Sequence, residues 1–337
     1  MSERLLSREV TEETPFTTGQ DKPRLTVAIP TYNGRHLLEV VLPSLAAQQY
    51  REFRVLVVDD GSADGTVSWL REQWPTVGVV ALSVNIGVTA ALNVCVRESD
   101  TELMMLLNND IELEPGCLGT LVQALDEHPA AGSASPKLID YHDRRVIDGA
   151  GDILTWAGSP GRRGHGELDR GQYDLPQEIF GACGGAALYR RSAFDRVGLL
   201  DGDFFTYYED TDWSLRAQLG GFTCRYVPDA VVYHMGSATL GREMTDFTRY
   251  HLWRNGVWLI VKDLPAASLI RHCHQLLYGQ LWNFAMALRD RRLSLWARAM
   301  RDALCGLPSA LRKRRAVQRT RCVSVRELEL RISSAGS

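Results

Sequence analysis

Four short clusters of carboxylates, amides and one histidine carry the chemistry open to this sequence. The first is Asp59-Asp60-Gly61-Ser62. Its carboxylates can accept from a base N–H or a ribose hydroxyl, and its turn lets a ligand approach the backbone. Asp and Ser also cap helices, so a purely structural use stands beside that one. The second is Asn108-Asn109-Asp110. A carboxylate there suits Mg2+ or Mn2+, which takes few protein oxygens and borrows the rest from phosphate and water. A strand-ending turn uses the same residue types. In the third, Glu209-Asp210-Thr211-Asp212, a helix N-terminus stabilises carboxylate charge and keeps an Asp ionised as a base. Asp210 and Asp212 cannot both cap one helix. The fourth is His234, whose neutral imidazole would complete a metal site, although a lone histidine is more often structural.

These clusters stand at the ends of predicted elements. Leu25–Pro30, Phe53–Val58, Val77–Leu82 and Glu102–Leu107 read as apolar strands. Helical patterns separate them: Leu37 to Leu45 on one face, then about 64–73 and 87–96. Strands alternating with helices predict a parallel sheet covered on both faces, and ligands of such sheets bind beyond the carboxyl ends of the strands. Thr31-Tyr32-Asn33, Asp59-Asp60 and Asn108-Asn109-Asp110 should therefore meet in one crevice. Residues 140–178 are rich in glycine and charge and read as hairpins and loops. A helix should follow Glu209-Asp210, then strands 222–227 and 230–233 with His234 just beyond, and helices from Thr245 onward.

The 337 residues are 45% hydrophobic and 23% charged, a globular composition that excludes collagen-like and wholly disordered chains. Seven scattered cysteines without a C-x-x-C pair argue against a disulfide scaffold or a zinc ribbon. Residues 1–23 carry no signal-like apolar segment and read as a disordered lead-in; no stretch of about 18 uncharged apolar residues, as a membrane span needs, occurs. The expected location is cytoplasmic, at the inner face of the membrane. Residues 1–265 hold 24 Lys and Arg against 37 Asp and Glu, whereas residues 266–337 hold 14 against 4. A basic tail on an acidic body suits an anionic surface or a solvated helix face. No G-x-G-x-x-G follows the first strand, and neither a P-loop nor a G-x-S-x-G elbow occurs.

Taken in order, AIPTYNG, VVDDGSADGT, NIGVTAALN, LLNNDIELEPG, GGAALYRRSAF, FFTYYEDTDWSLRAQLGGF and YVPDAVVYHMGSAT resemble the successive blocks of family 2 glycosyltransferases with the GT-A fold, over about residues 24–262. The NND and YYED blocks and the basic tail are most similar to bacterial rhamnosyltransferase-type enzymes of cell-surface glycan assembly. The resemblance implies an α/β GT-A fold with a mostly parallel central sheet and a C-terminal helical extension. It implies a nucleotide half (24–130), a catalytic and acceptor half (131–262), a basic amphipathic extension (263–322) and a tail (323–337).

It also implies roles. Pro30, Thr31, Tyr32, Asn33, Asp59 and Asp60 fall at nucleotide positions, and Asn85 and Gly87 near the donor. Asn108 and Asn109 precede Asp110, which matches the last residue of a D-x-D metal motif whose first carboxylate is missing here. Asp210 matches the catalytic base, and His234 a metal-binding histidine. Gly184, Gly185, Glu209 and Trp213 match positions lining donor sugar and acceptor. The implied reaction is an inverting transfer, with Mg2+ or Mn2+, from dTDP-L-rhamnose or a UDP- or GDP-sugar to a polyprenyl-diphosphate-linked or cell-surface glycan, with peripheral membrane contact through residues 266–322 and no nucleic acid partner. A sugar-phosphate nucleotidyltransferase would instead show a glycine- and arginine-rich loop after the first strand. A catalytically silent sugar- or nucleotide-binding module would not need Asp110, Asp210 and His234 together.

Overall fold

Charge-free apolar runs build the middle of a mixed sheet. The computed structural model describes residues 7–9, 23–236 and 244–334. The first half runs β1 (Ser7–Glu9), β2 (Leu25–Thr31), α1 (Arg35–Ala46), β3 (Phe53–Asp59), α2 (Thr66–Gln73), β4 (Gly78–Ala81), α3 (Val88–Glu98), β5 (Leu103–Leu107), β6 (Ile111–Leu113) and α4 (Cys117–Glu127). The second continues through β7 (Ala131–Asp140), β8 (Ile147–Gly149), β9 (Asp152–Leu154), β10 (Pro160–Arg162), β11 (Gln177–Ile179), β12 (Ala186–Arg190), α5 (Arg191–Val197), α6 (Glu209–Leu219) and β13 (Thr223–His234). Helices α7 (Asp246–Asp263), α8 (Ala266–Arg271), α9 (Cys273–Arg289), α10 (Leu293–Thr320) and α11 (Val325–Ser334) follow.

The strands lie in the order β1-β4-β3-β2-β5-β12-β7-β13-β11. β2 runs parallel to β3 and β5, β3 to β4, and β7 to β13, whereas β12 is antiparallel to both its neighbours. Every residue of β2 and β5 is buried, because helices cover both faces of the sheet. Side chains alternate between the faces: Leu25, Val27 and Ile29 join one core with α1 and α4, and Ala28, Leu56 and Val58 join another with α3. The pairing of β5 with β2 stops at Ala28 while β3 stays paired to Thr31. A crevice therefore opens at the carboxyl ends of β2 and β5, where the strand order reverses.

Strands 222–227 and 230–233, expected separately, form one strand, β13, with a register shift between Val227 and Val231. Of the lead-in expected over 1–23, residues 7–9 pair with β4 and most of the rest lies outside the described residues. The tail expected from 323 contains α11, whose Leu328 and Ile332 are buried in a third core with Leu215 and Leu219 of α6 and Leu259 of α7. The helices beyond residue 262 thus share a core with the body rather than hanging from it.

A buried charge cluster joins these helices to α6. Asp212 is wholly buried and accepts from Arg216 at 2.9 and 2.8 Å, with Lys262 of α7 as a second cation. Burial alone would raise the Asp212 pKa, and Arg216 and Lys262 outweigh it and hold it below the ordinary carboxylate range. Lys262 also pairs with Asp201 at 2.6 Å, and Lys313 of α10 with Asp201 and Asp203. Burial, then the charge on Asp212, pushes neighbouring Asp263 well above that range.

Because α11 closes a core, Leu328→Ala should lower stability by about 2–4 kcal/mol, the usual range for a buried leucine. Urea unfolding measures this; a loss within about 0.5 kcal/mol, as at a surface position, would mean α11 is not docked.

Candidate active site

The crevice is a cavity of about 580 Å3 reached from both halves of the chain. Its volume lies within the range of small-molecule sites, roughly 300–1,000 Å3. Of the residues expected at the site, all but three line it; Asn33, Asp59 and Trp213 do not.

The nucleotide half supplies Pro30, Thr31 and Tyr32 from the end of β2, with the Tyr32 ring exposed. Asn109 Nδ2 donates to Thr31 Oγ1 at 2.8 Å, tying the ends of β2 and β5 together. A Cβ at Gly34 would collide with both atoms, so only glycine fits beside that bond. Asp60 accepts from the N–H groups of Ile86 at 2.7 Å and Gly87 at 3.0 Å, which fixes the loop holding Asn85. Burial raises the Asp60 pKa against the pull of those two bonds. Gly87 has φ +89°, and a Cβ on it would meet the Phe205 ring.

Asp59 and Asn33 have the structural use. Asp59 Oδ1 accepts from Ser62 N at 2.9 Å, Ser62 Oγ from Asn33 N at 2.7 Å, and Asn33 Oδ1 from Ala63 N at 2.8 Å. Together they shape the turn after β3. Trp213 is also corrected. It is 1% exposed, donates to the Gly198 carbonyl and packs edge-on to Tyr189. It belongs to the core because its position on α6 faces the sheet.

The catalytic half brings Asp210 to the cavity. Its Oδ1 accepts from Thr211 N at 2.6 Å and its Oδ2 from Gly184 N at 3.2 Å. A Cβ at Gly184 would strike that carboxylate, so glycine there makes room for it. Beside it, Glu209 Oε2 is sealed from solvent without a partner. Burial, then the charge on Asp210, pushes the Glu209 pKa up to about 8. Asp152, also lining the cavity, is pushed well above the carboxylate range by burial and then by Asp210.

Register brings Asp110 and His234 together. β6 pairs antiparallel with β13, Ile111 opposite His234, and Asp110 O accepts from Met235 N at 3.0 Å. His234 Nε2 lies 3.5 Å from Asp110 Oδ2 and Nδ1 2.8 Å from Asp148 Oδ2, which also accepts from Arg162 at 2.7 Å. Burial alone would lower the His234 pKa; Asp110 and Asp148 outweigh it and push it up to about 9. Asp110 Oδ1 is buried with no hydrogen-bond partner, and a hard cation suits such an orphaned oxygen. Among the described residues no three His, Cys, Asp or Glu side chains gather as a complete metal cage. The donor set therefore fits an ion that draws its remaining ligands from phosphate and water.

Asp148, Asp152, Arg162 and Asn255 were not singled out from sequence. Asn255, wholly buried on α7, donates to the carbonyls of Phe204, Thr206 and Tyr207 at 3.1, 2.8 and 2.8 Å. Phe205, Tyr207 and Tyr208 in that segment have φ of 67°, 62° and 73°, a region costly for bulky residues. Asn255 thus holds the strained turn that leads into Asp210. Its signal in sequence was a lone amide among the apolar residues of α7.

Comparison with known proteins identifies the family and the fold. The sequence model described as Glycosyl transferase family 2 matches residues 26–198, a little over half of the chain. An N-acetylglucosaminyl-diphospho-decaprenol L-rhamnosyltransferase of Mycobacterium tuberculosis is 27% identical over 323 aligned residues, covering 88% of this chain and 95% of the relative. Among solved structures, a mannosyltransferase from Pyrobaculum calidifontis in complex with GDP-Man and Mn2+ superposes with a TM-score of 0.54 at 19% identity, covering 97% of this chain and 90% of the other. GalNAc-T7 with UDP, GalNAc and Mn2+ gives 0.58 at 16%, covering 72% and 48%. The fold is GT-A.

Two outcomes follow from the geometry. Asn255→Ala removes the side-chain donor from the Thr206 and Tyr207 carbonyls, while Phe204 O keeps Arg254 and Thr206 N, and should cost about 1–3 kcal/mol; transfer should fall more than nucleotide binding does, and an equal loss in both would remove Asn255 from a positioning role. Glu209 keeps a proton when folded that the unfolded chain loses near pH 4.5. Its contribution therefore makes stability fall as pH rises from about 4.5 to about 8. Glu209→Gln should melt above the parent at pH 8 and show a flatter decline; superimposable melting profiles across that window would exclude the buried acid.

Proposed function

The chain belongs to glycosyl transferase family 2, and on that premise we propose that it transfers a sugar, with inversion, from a nucleoside diphosphate donor to a glycan hydroxyl. One observation carries the assignment of the base. Among the carboxylates lining the cavity, burial drives Glu209, Asp152 and Asp60 toward the neutral form, and Asp110 faces His234. Asp212 is buried against Arg216 and Lys262. Asp210 remains, held by two N–H groups with its side chain partly exposed.

In this reading Asp60 and the exposed Tyr32 ring hold the nucleoside, and Asn85 and Gly87 border the donor. Gly184, Gly185 and Glu209 shape the sugar and acceptor end. Asp210 takes the proton of the acceptor hydroxyl as its oxygen bonds to the anomeric carbon, and the bond to the diphosphate breaks on the opposite face. A positioned base contributes roughly 10²–10⁴-fold. Asp110 and His234 would hold Mg2+ or Mn2+, which supplies Lewis-acid neutralisation of the departing diphosphate. His234 must give up its proton to ligate, and Asp148 stays in place to orient the ring.

We assign L-rhamnose from dTDP-rhamnose as the transferred sugar and a polyprenyl-diphosphate-linked glycan as the acceptor. The name of the mycobacterial relative supports the rhamnosyl group and the polyprenyl-diphosphate link, and dTDP is the nucleotide we assign to the donor. In this reading the reaction takes place at a membrane surface, which we take to be the cytoplasmic face.

Asp210→Asn should reduce transfer by about 10²–10⁴-fold while leaving the thermal shift given by dTDP, UDP or GDP intact; unchanged transfer would exclude Asp210 as the base. At 100 times its dissociation constant a nucleotide adds about 2.7 kcal/mol to stability. A shift confined to dTDP, and larger with Mn2+ or Mg2+, is the expected result. No shift with any nucleotide would defeat the transferase reading of this cavity.

A further inference from the structure

Helix α9 is built inside out. Its buried positions are Leu276, Gly279 and Ala287, whereas its outward face carries larger apolar groups. Leu277 is 60% exposed, Tyr278 61%, Leu281 58%, Trp282 55% and Leu288 59%. Their spacing follows the helical period, so they form one continuous face. No charged residue occurs between Arg271 and Arg289. A soluble monomer rarely leaves so large an apolar stripe to water.

The charge of the C-terminal helices identifies what covers it. Arg289, Arg291 and Arg292 follow the stripe in sequence, and Arg312, Arg315 and Arg319 are exposed on α10. Arg289 pairs with Asp290 and Arg292 with Asp246, but Arg291, Arg312, Arg315 and Arg319 form no ion pair among the described residues. A second copy docking by the same face would set one basic tail against another. A bilayer spanned by the chain is also excluded for the described helices, none of which is long and apolar enough to cross. Leucine with tyrosine and tryptophan beside arginines is instead the composition of a helix lying in a lipid interface.

We propose that the exposed face of α9 docks on an anionic lipid bilayer, with the arginines of the C-terminal helices on the headgroups. The acidic remainder of the chain is repelled from the same surface, so one orientation is favoured. The inference deepens the reading above, since a lipid-linked acceptor is what makes the contact useful, but binding to vesicles is independent of turnover.

The full chain would be sedimented with vesicles of equimolar phosphatidylglycerol and phosphatidylcholine, and with phosphatidylcholine alone. The expected result is binding to the anionic vesicles, weakened by salt, and reduced about tenfold or more in Leu277→Glu/Leu281→Glu. Both positions are exposed, so the variant should keep the parent's melting temperature and its transfer to a soluble, lipid-free acceptor. Absence of vesicle binding by the parent, undiminished binding by the variant, or a parent dimer that the variant dissociates would each overturn the proposal. Vesicle binding without any transfer would instead count against the functional reading alone.

Discussion

Burial of the Asp212 carboxylate governs the arrangement of everything around the proposed base. Successive helix residues turn by about 100°, so positions 210 and 212 point to nearly opposite sides. With Asp212 locked to Arg216 and Lys262, α6 has one rotation, and that rotation turns Asp210 to the cavity. Arg216 also donates to the carbonyls of Val197 and Leu199, fixing the segment that follows α5. An ion cluster of this kind gives little net stability, but losing one member leaves an uncompensated buried charge. The same cluster recruits Asp201 and Lys313, which makes α7 and α10 part of the support for the site.

Much of the nucleotide half was legible because parallel strands buried on both faces read as unbroken apolar runs. β2, β3 and β5 begin and end within a residue or so of expectation, and the polar residues at their carboxyl ends do converge. Less was legible where one residue type serves two ends. Asp59 and Asn33 match a nucleotide site in type, yet Asp59 Oδ1 and Asn33 Oδ1 accept from the turn itself and neither residue lines the cavity. Trp213 sits three residues after Asp210, and nothing in its spacing told a cavity wall from a core. Asn255 acts through three carbonyls 48 to 51 residues away, a contact that only packing creates. The α11 core was missed because the eye stops at the basic residues before it.

The cation site proposed at Asp110 and His234 lacks one motif carboxylate. Asn108 stands where the motif's first carboxylate would be, and Asn109, between Asn108 and Asp110, binds Thr31. The pairing of β6 with β13 brings His234 to Asp110 from a distant part of the chain. Asp148 then orients the imidazole, so two weakly specified residues become one defined pair.

The Phe205 ring joins the two halves mechanically. Its face occupies the space where Gly87 would carry a side chain, and its carbonyl accepts from Thr89 Oγ1 at 2.7 Å. Gly87 is bound to Asp60 on one side, and Asn255 holds the carbonyls flanking Phe205 on the other. A ligand that shifts the 85–87 loop therefore shifts the approach to Asp210. A ligand that binds two arrangements of that loop unequally changes affinity at the other end of the cavity, and by the same factor in both directions.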